Sequence, residues 1–243
     1  MTKTKIGLLE CDHVRDEFRH IAGDYRDMFP ALFMPLAPHW EFVFYDVAND
    51  SFPSSIEECD VYICTGSKFS VYDDEPWIHR LKALVQQIYE HGKVYLGVCF
   101  GHQMLAEALG GKVQKSAAGW CVGIHEFTLQ RTEPSAALTW INPPQENINL
   151  LMMCQDQVLQ LPPDSTVLAS ANDCPVAMFR VGSKMLGVQA HPEFPLPYEE
   201  ALMRSRVERI GAEKIAQGLE SLRKPLHSQR MAQWMVAFVT SVL

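Results

Sequence analysis

The chain has 243 residues, 47% apolar and 21% charged, a composition ordinary for a globular protein and one that excludes disordered, collagen-like and coiled-coil classes. Its length suits one α/β domain with a terminal elaboration. The formal charge is −8, from 21 Lys+Arg against 29 Asp+Glu, and no Lys/Arg run occurs, so neither nucleic acid nor an anionic membrane surface is expected as a partner.

In chain order, the N-terminus reads Met-Thr-Lys-Thr-Lys and then only Ile6–Leu9 before Glu10, too short for a signal-peptide core. Lys5–Glu10 reads as a short buried strand. Val14, Phe18, Ile21, Tyr25 and Met28 recur at spacings of three and four, which predicts a helix. Glu41–Val47 and Val61–Thr65 are strand candidates. Trp77, Leu81, Leu84, Val85 and Ile88 form a helical stripe with Pro76 in the first turn. Val94–Val98 is a further strand, followed by a helix over Phe100–Leu109 that Gly110-Gly111 closes.

Such alternation predicts a mostly parallel sheet with helices on both faces, and ligands bind such sheets at the carboxyl ends of the strands. The second half differs. Lys112–Lys115, Gly119–Gln130 and Thr166–Ala171 are short strand candidates without intervening helices. Val176–Arg180 and Lys184–Gln189 read as a hairpin. Antiparallel additions to the central sheet are expected there. After Pro197 the pattern is helical again, around Tyr198–Ile210 and Met231–Val242. The apolar tail from Met231 is shorter than the ~20 residues a membrane span needs, so no membrane segment is expected.

The seven cysteines are Cys11, Cys59, Cys64, Cys99, Cys121, Cys154 and Cys174. Their odd number, the lack of C-x-x-C and the lack of zinc spacing argue against a disulfide framework and against a metal site. Reduced thiols in a cytoplasmic protein fit better.

The chemistry concentrates in three segments. Tyr95-Leu96-Gly97-Val98-Cys99-Phe100-Gly101-His102-Gln103 runs from an apolar strand through G-x-C-x-G into a helix, the pattern of a nucleophile elbow. It places the Cys99 thiol at a helix N-terminus, where the dipole favours thiolate over a free-thiol pKa of about 8.5. Taken alone, the pattern also fits a buried cysteine in a tight turn. Gly187-Val188-Gln189-Ala190-His191-Pro192-Glu193 supplies a base and its orienter, because residues i and i+2 of an extended chain project to one side. Taken alone, His-x-Glu also fits a surface pair. Ile63-Cys64-Thr65-Gly66-Ser67-Lys68 ends a strand on a glycine. A backbone N–H of Gly66 or Ser67, with that of Phe100, could form an oxyanion hole, although an ordinary strand-end turn would read the same way.

Together these segments resemble a class I glutamine amidotransferase domain: the G-x-C-x-G-x-Q elbow (Gly97, Cys99, Gly101, Gln103), the H-P-E run (His191, Pro192, Glu193) and the glycine loop at Gly66, in the family's order. Ser67–Asp74 is similar to the stretch after that loop in GMP synthase amidotransferase domains. The resemblance covers about residues 5–195. It implies a three-layer, flavodoxin-like α/β domain over 1–195, with a C-terminal helical extension over 196–243 packed on the same domain. It also implies a mechanism in which Cys99 attacks the γ-carbonyl of glutamine or a γ-glutamyl amide. The amides of Phe100 and the Gly66/Ser67 loop would hold the oxyanion, and His191, oriented by Glu193, would protonate the departing nitrogen. Water would then hydrolyse the thioester. Gln103 would contact the glutamyl portion, and no cofactor or metal is called for.

The sequence departs from the family pattern twice. The loop is Thr-Gly-Ser rather than paired glycines, and Cys154 stands where relatives commonly have His, which bears on substrate identity. No phosphate-binding glycine motif is present. Ammonia would therefore pass to a synthase subunit in trans. The alternative is a partner-free γ-glutamyl peptidase, and a third reading is a non-catalytic regulator that keeps the fold.

Overall fold

The computed structural model describes residues 3–130 and 138–243. Met1 and Thr2, part of the segment read as lacking a leader, lie outside the described residues. In chain order the first half contains β1 (Thr4–Leu9), α1 (Arg19–Ala22), α2 (Tyr25–Phe33), β2 (Trp40–Tyr45), β3 (Val61–Cys64), α3 (Pro76–Glu90), β4 (Val94–Val98) and α4 (Phe100–Ala108). The strands β5 (Lys112–Lys115), β6 (Cys121–Leu129), β7 (Asn147–Cys154), β8 (Asp156–Gln160), β9 (Ser165–Ala171), β10 (Cys174–Val181) and β11 (Met185–Val188) follow. The chain closes with α5 (Leu196–Arg204), α6 (Val207–Ile210), α7 (Ala212–Ser221) and α8 (Ser228–Val242).

Nine strands form one sheet in the order β2-β1-β3-β4-β11-β10-β9-β6-β7. The first five are parallel. From β10 onward each pairing is antiparallel, so that only β10 and β6 oppose the common direction. This is the expected α/β sheet with antiparallel additions.

Alternate residues of each inner strand serve opposite faces. Val61 and Ile63 of β3 join a buried cluster with Met28 and Phe29 of α2 and Trp234 and Phe238 of α8. Tyr62 and Cys64 join another with Leu81 and Val85 of α3 and Met104 and Leu105 of α4. The C-terminal helices add Leu202, Ile215, Met231 and Met235 to the first cluster.

The structure corrects four sequence expectations. The helix read over Val14–Met28 is broken: Gly23 sits at φ +76°, and Asp24 restarts the chain as α2 with a capping box. In that box its carboxylate caps the new helix, while its own N–H donates to Asp27 Oδ2 at 2.8 Å. Lys112–Lys115 does not extend the central sheet but pairs with β8 in a separate two-stranded ladder. The helix read over Tyr198–Ile210 is split after Arg204, where Ser205 Oγ donates to the Leu202 carbonyl at 2.8 Å. Three elements, β7, β8 and α7, are absent from the sequence reading. In β7, Leu150 to Cys154 are all buried, so alternation, the usual strand signal, is missing.

All seven cysteines are buried and unpaired by disulfides. Among the described residues no helix is long and apolar enough to cross a membrane, and no group of three His, Cys, Asp or Glu is arranged to hold a metal.

Candidate active site

β4 delivers Cys99 at the carboxyl edge of the sheet, and α4 leaves directly from it. Cys99 has φ +51° and ψ −100°, a conformation that costs a non-glycine residue on the order of 1–3 kcal/mol. Tertiary contacts hold it there. The Cys99 N–H donates to the Val188 carbonyl at 2.9 Å, and the Gly101 N–H donates to the Thr65 carbonyl at 3.1 Å. A Cβ at Gly97 would overlap the Gly101 carbonyl, and one at Gly101 would overlap the Cys64 carbonyl. The two glycines of the motif are therefore required by close backbone approach, and the elbow is wedged between the ends of β3 and β11.

His191 and Glu193 follow β11. The His191 N–H is anchored on the Leu151 carbonyl of β7 at 2.8 Å. Its ring lies flat on Phe194, with centroids 4.0 Å apart and planes within 7°, and Tyr198 packs edge-on against Phe194 at 4.7 Å. His191 Nδ1 lies 2.8 Å from Glu193 Oε1, with both side chains almost fully buried. The imidazole also lies close enough to the Cys99 side chain for the two to interact electrostatically. Burial opposes the charged ring. The adjacent Cys99 and Glu193 outweigh it and raise His191 well above the usual imidazole range. The structure thus brings together a sulfur, an imidazole and a carboxylate that the sequence separates.

The Gly66 loop lies against this group from the β3 side. A Cβ at Gly66 would sit 2.6 Å from His191 Cε1 and 3.5 Å from the Tyr25 hydroxyl. Ser67 Oγ donates to the Cys11 carbonyl at 2.9 Å. Asp12 accepts from the Lys68 N–H and from Lys68 Nζ, each at 2.9 Å. The loop is thereby pinned to the segment after β1. Among the described residues, the N–H groups of Gly66, Ser67 and Phe100 donate to no protein acceptor.

Gln103 is placed differently from a pure substrate contact. Its Nε2 donates to the Asp156 carbonyl at 2.7 Å and to Gln189 Oε1 at 3.2 Å, so the amide positions the start of β8 while the residue also lines the cleft. Cys154 is buried against Cys121 and faces the same cleft. Several lining residues were not singled out from the sequence: Trp120, Asp156, Arg206 and Arg209. Beside the Gly66 loop, the Tyr25 phenol is pushed up by burial and by the nearby Tyr198 and Glu193. Tyr25 was legible only as a core position of a helical stripe. The other four carry no local pattern.

The class I glutamine amidotransferase family model matches residues 70–207, more than half of the chain, and that span includes Cys99, Gln103, His191 and Glu193. The chain is 31% identical to a glutamine amidotransferase-like protein of Schizosaccharomyces pombe over 203 residues, covering 78% of this chain and 79% of that one. It is 29% identical to gamma-glutamyl peptidase 5 of Arabidopsis thaliana over 174 residues, covering 71% and 68%. A solved glutamine amidotransferase of Thermotoga maritima superposes with a TM-score of 0.72 at 16% identity over 99% of this chain and 98% of that one, a likeness of fold.

Proposed function

The chain belongs to the class I glutamine amidotransferases, and on that premise we propose that it hydrolyses the γ-amide bond of glutamine or of a γ-glutamyl conjugate through a thioester on Cys99. The observation that carries the reading is the buried, hydrogen-bonded His191–Glu193 pair set beside the Cys99 thiol at a strained strand-to-helix turn.

In this reading His191 holds the thiol proton as imidazolium and Cys99 attacks as thiolate. The new S–C bond turns the γ-carbonyl oxygen into an oxyanion, which the N–H groups of Phe100 and of Gly66 or Ser67 receive. His191 then gives its proton to the nitrogen as the C–N bond breaks, leaving ammonia or an amine and a γ-glutamyl thioester. Water, giving a proton to His191, attacks the thioester. Glutamate leaves and the thiol is restored. Glu193 keeps the ring in the required tautomer and offsets its charge throughout.

Two substrates fit this chemistry. Glutamine would release ammonia, for which a synthase subunit bound in trans would be the acceptor. A γ-glutamyl peptide would release an amino acid or peptide and needs no partner. The likeness to gamma-glutamyl peptidase 5 favours the second.

The test uses the purified chain and its Cys99→Ser variant with glutamine and with a γ-glutamyl dipeptide, following glutamate release and the intact mass of the protein. The wild type is expected to release glutamate and to show a γ-glutamyl adduct. The variant should do neither while melting at nearly the same temperature. Undiminished turnover by the variant would remove Cys99 from the mechanism.

A further inference from the structure

The cleft beside Cys99 has an unusual charge for an acidic protein. Four cations line it, Lys68, Lys115, Arg206 and Arg209, against the single carboxylate of Asp156. Lys68 is neutralised by Asp12 at 2.9 Å. Asp156 accepts from the hydroxyls of Ser70 and Tyr72. Among the described residues neither arginine has a carboxylate partner. Arg209 instead lies over the Trp120 ring, its guanidinium carbon 5.0 Å from the centroid, which fixes its position without cancelling its charge.

Arg206 is half-buried, and its side chain donates to no protein acceptor among the described residues. Burial and the proximity of Arg209 both disfavour its charge, opposed by the nearby Tyr25, Tyr198 and Glu199. Two guanidinium groups are thus held near one another at the wall of a cleft, an arrangement that an anion would relieve. Arginine suits a carboxylate through its planar fork of donors.

The position of Arg206 also says which part of a substrate it would meet. Tyr25 and Tyr198 both lie close to Glu193, and Tyr198 packs on the Phe194 ring that carries His191. Arg206 therefore approaches the cleft from the histidine side, where the departing nitrogen collects its proton. Asp156 approaches from β8 beside Gln103, and its negative charge suits the ammonium of the glutamyl end.

We propose that Arg206, supported by Arg209, forms a carboxylate subsite for the leaving group, so that the preferred substrate is a γ-glutamyl amino acid or peptide with a free carboxylate rather than glutamine. This rests on the γ-glutamyl reading above. It makes two residues after the H-P-E run specificity determinants for the group that departs. Glutamine, whose leaving group is ammonia, cannot engage them.

The discriminating pair is γ-glutamylglycine and γ-glutamylglycinamide, which differ only in the charge at the far end. The wild type should favour the acid by roughly tenfold or more in kcat/KM, the range of one charge-assisted hydrogen bond. In Arg206→Gln this ratio should collapse toward one through a higher KM for the acid, and Arg206→Lys should keep part of it. Calorimetric binding of both compounds to the Cys99→Ser protein, with and without Arg206→Gln, reports on the subsite apart from the chemistry. Tighter binding of the acid that depends on Arg206 supports the subsite even if the wild type proves inactive, an outcome that would defeat the nucleophile reading alone. Equal binding and equal turnover of acid and amide would overturn the subsite and leave the nucleophile standing. Equal losses on both compounds in Arg206→Gln would also overturn it, by placing Arg206 at the glutamyl end or in the scaffold.

Discussion

Replacing Glu193 by Gln keeps an acceptor for His191 Nδ1 but removes the negative charge 2.8 Å away. Because both side chains are almost fully buried, solvent screens this pair little. A charge-assisted hydrogen bond contributes about 1.5–3 kcal/mol. Because Glu193 raises the His191 pKa, its loss lowers that pKa. The sign follows from the protonated ring being the form that Glu193 favours. In the wild type His191 is raised well above the usual imidazole range, so its proton is lost at higher pH than from a free imidazole. In the variant the proton is lost earlier. The alkaline limb of the rate profile should move to lower pH, and kcat/KM on the alkaline side should fall by about tenfold to a hundredfold, the equivalent of about 1.5–3 kcal/mol. Initial rates of glutamate release across pH would show this, and an NMR titration of the His191 ring would show the same displacement without turnover. An alkaline limb that stays in place with a rate within twofold of wild type would refute the role given to Glu193.

Gly66→Ala should lose most of its activity for a steric reason. The new methyl would stand 2.6 Å from His191 Cε1, at the edge of a ring held by its 2.8 Å hydrogen bond to Glu193 and by its stack on Phe194. A cost of roughly 1–3 kcal/mol in stability and about a hundredfold in rate is expected from denaturant melts and kinetics; wild-type activity would mean that the loop sits elsewhere in solution. Glu199→Gln should stabilise the protein in alkali. The buried Glu199 carboxyl is pushed up to about 7 from an ordinary 4.5, so it favours folding below pH 4.5 and loses that advantage as pH rises through about 7. Removing the charge should raise stability at pH 8 by on the order of 3 kcal/mol relative to acid, read as a Tm gain at pH 8 and not at pH 4.

Local patterns carried much of this. The elbow was legible because an apolar strand, two glycines and a helix start are contiguous, and the His191–Glu193 pair because i and i+2 of extended chain share a side. The parallel half of the sheet followed from the alternation of strand and helical periods. Breaks and additions were less legible. The helix through Tyr25 kept its apolar spacing across Gly23, and the interruption lies in the Gly23 backbone and the Asp24–Asp27 capping box. β7 gave no alternation because its central residues are buried on both sides.

The sequence by itself singled out the three residues proposed as the acyl-transfer group and the segments that present them. Tertiary structure alone decided that they meet: Cys99 is held by the Val188 carbonyl, His191 by the Leu151 carbonyl, and the ring by Phe194. It also decided that Trp120, Asp156, Arg206 and Arg209 wall the same cleft. The reason is physical. A turn or a strand is specified by neighbours in the chain, whereas convergence across a hundred residues is specified by how the strands order and the helices pack, and no periodicity in the sequence encodes that.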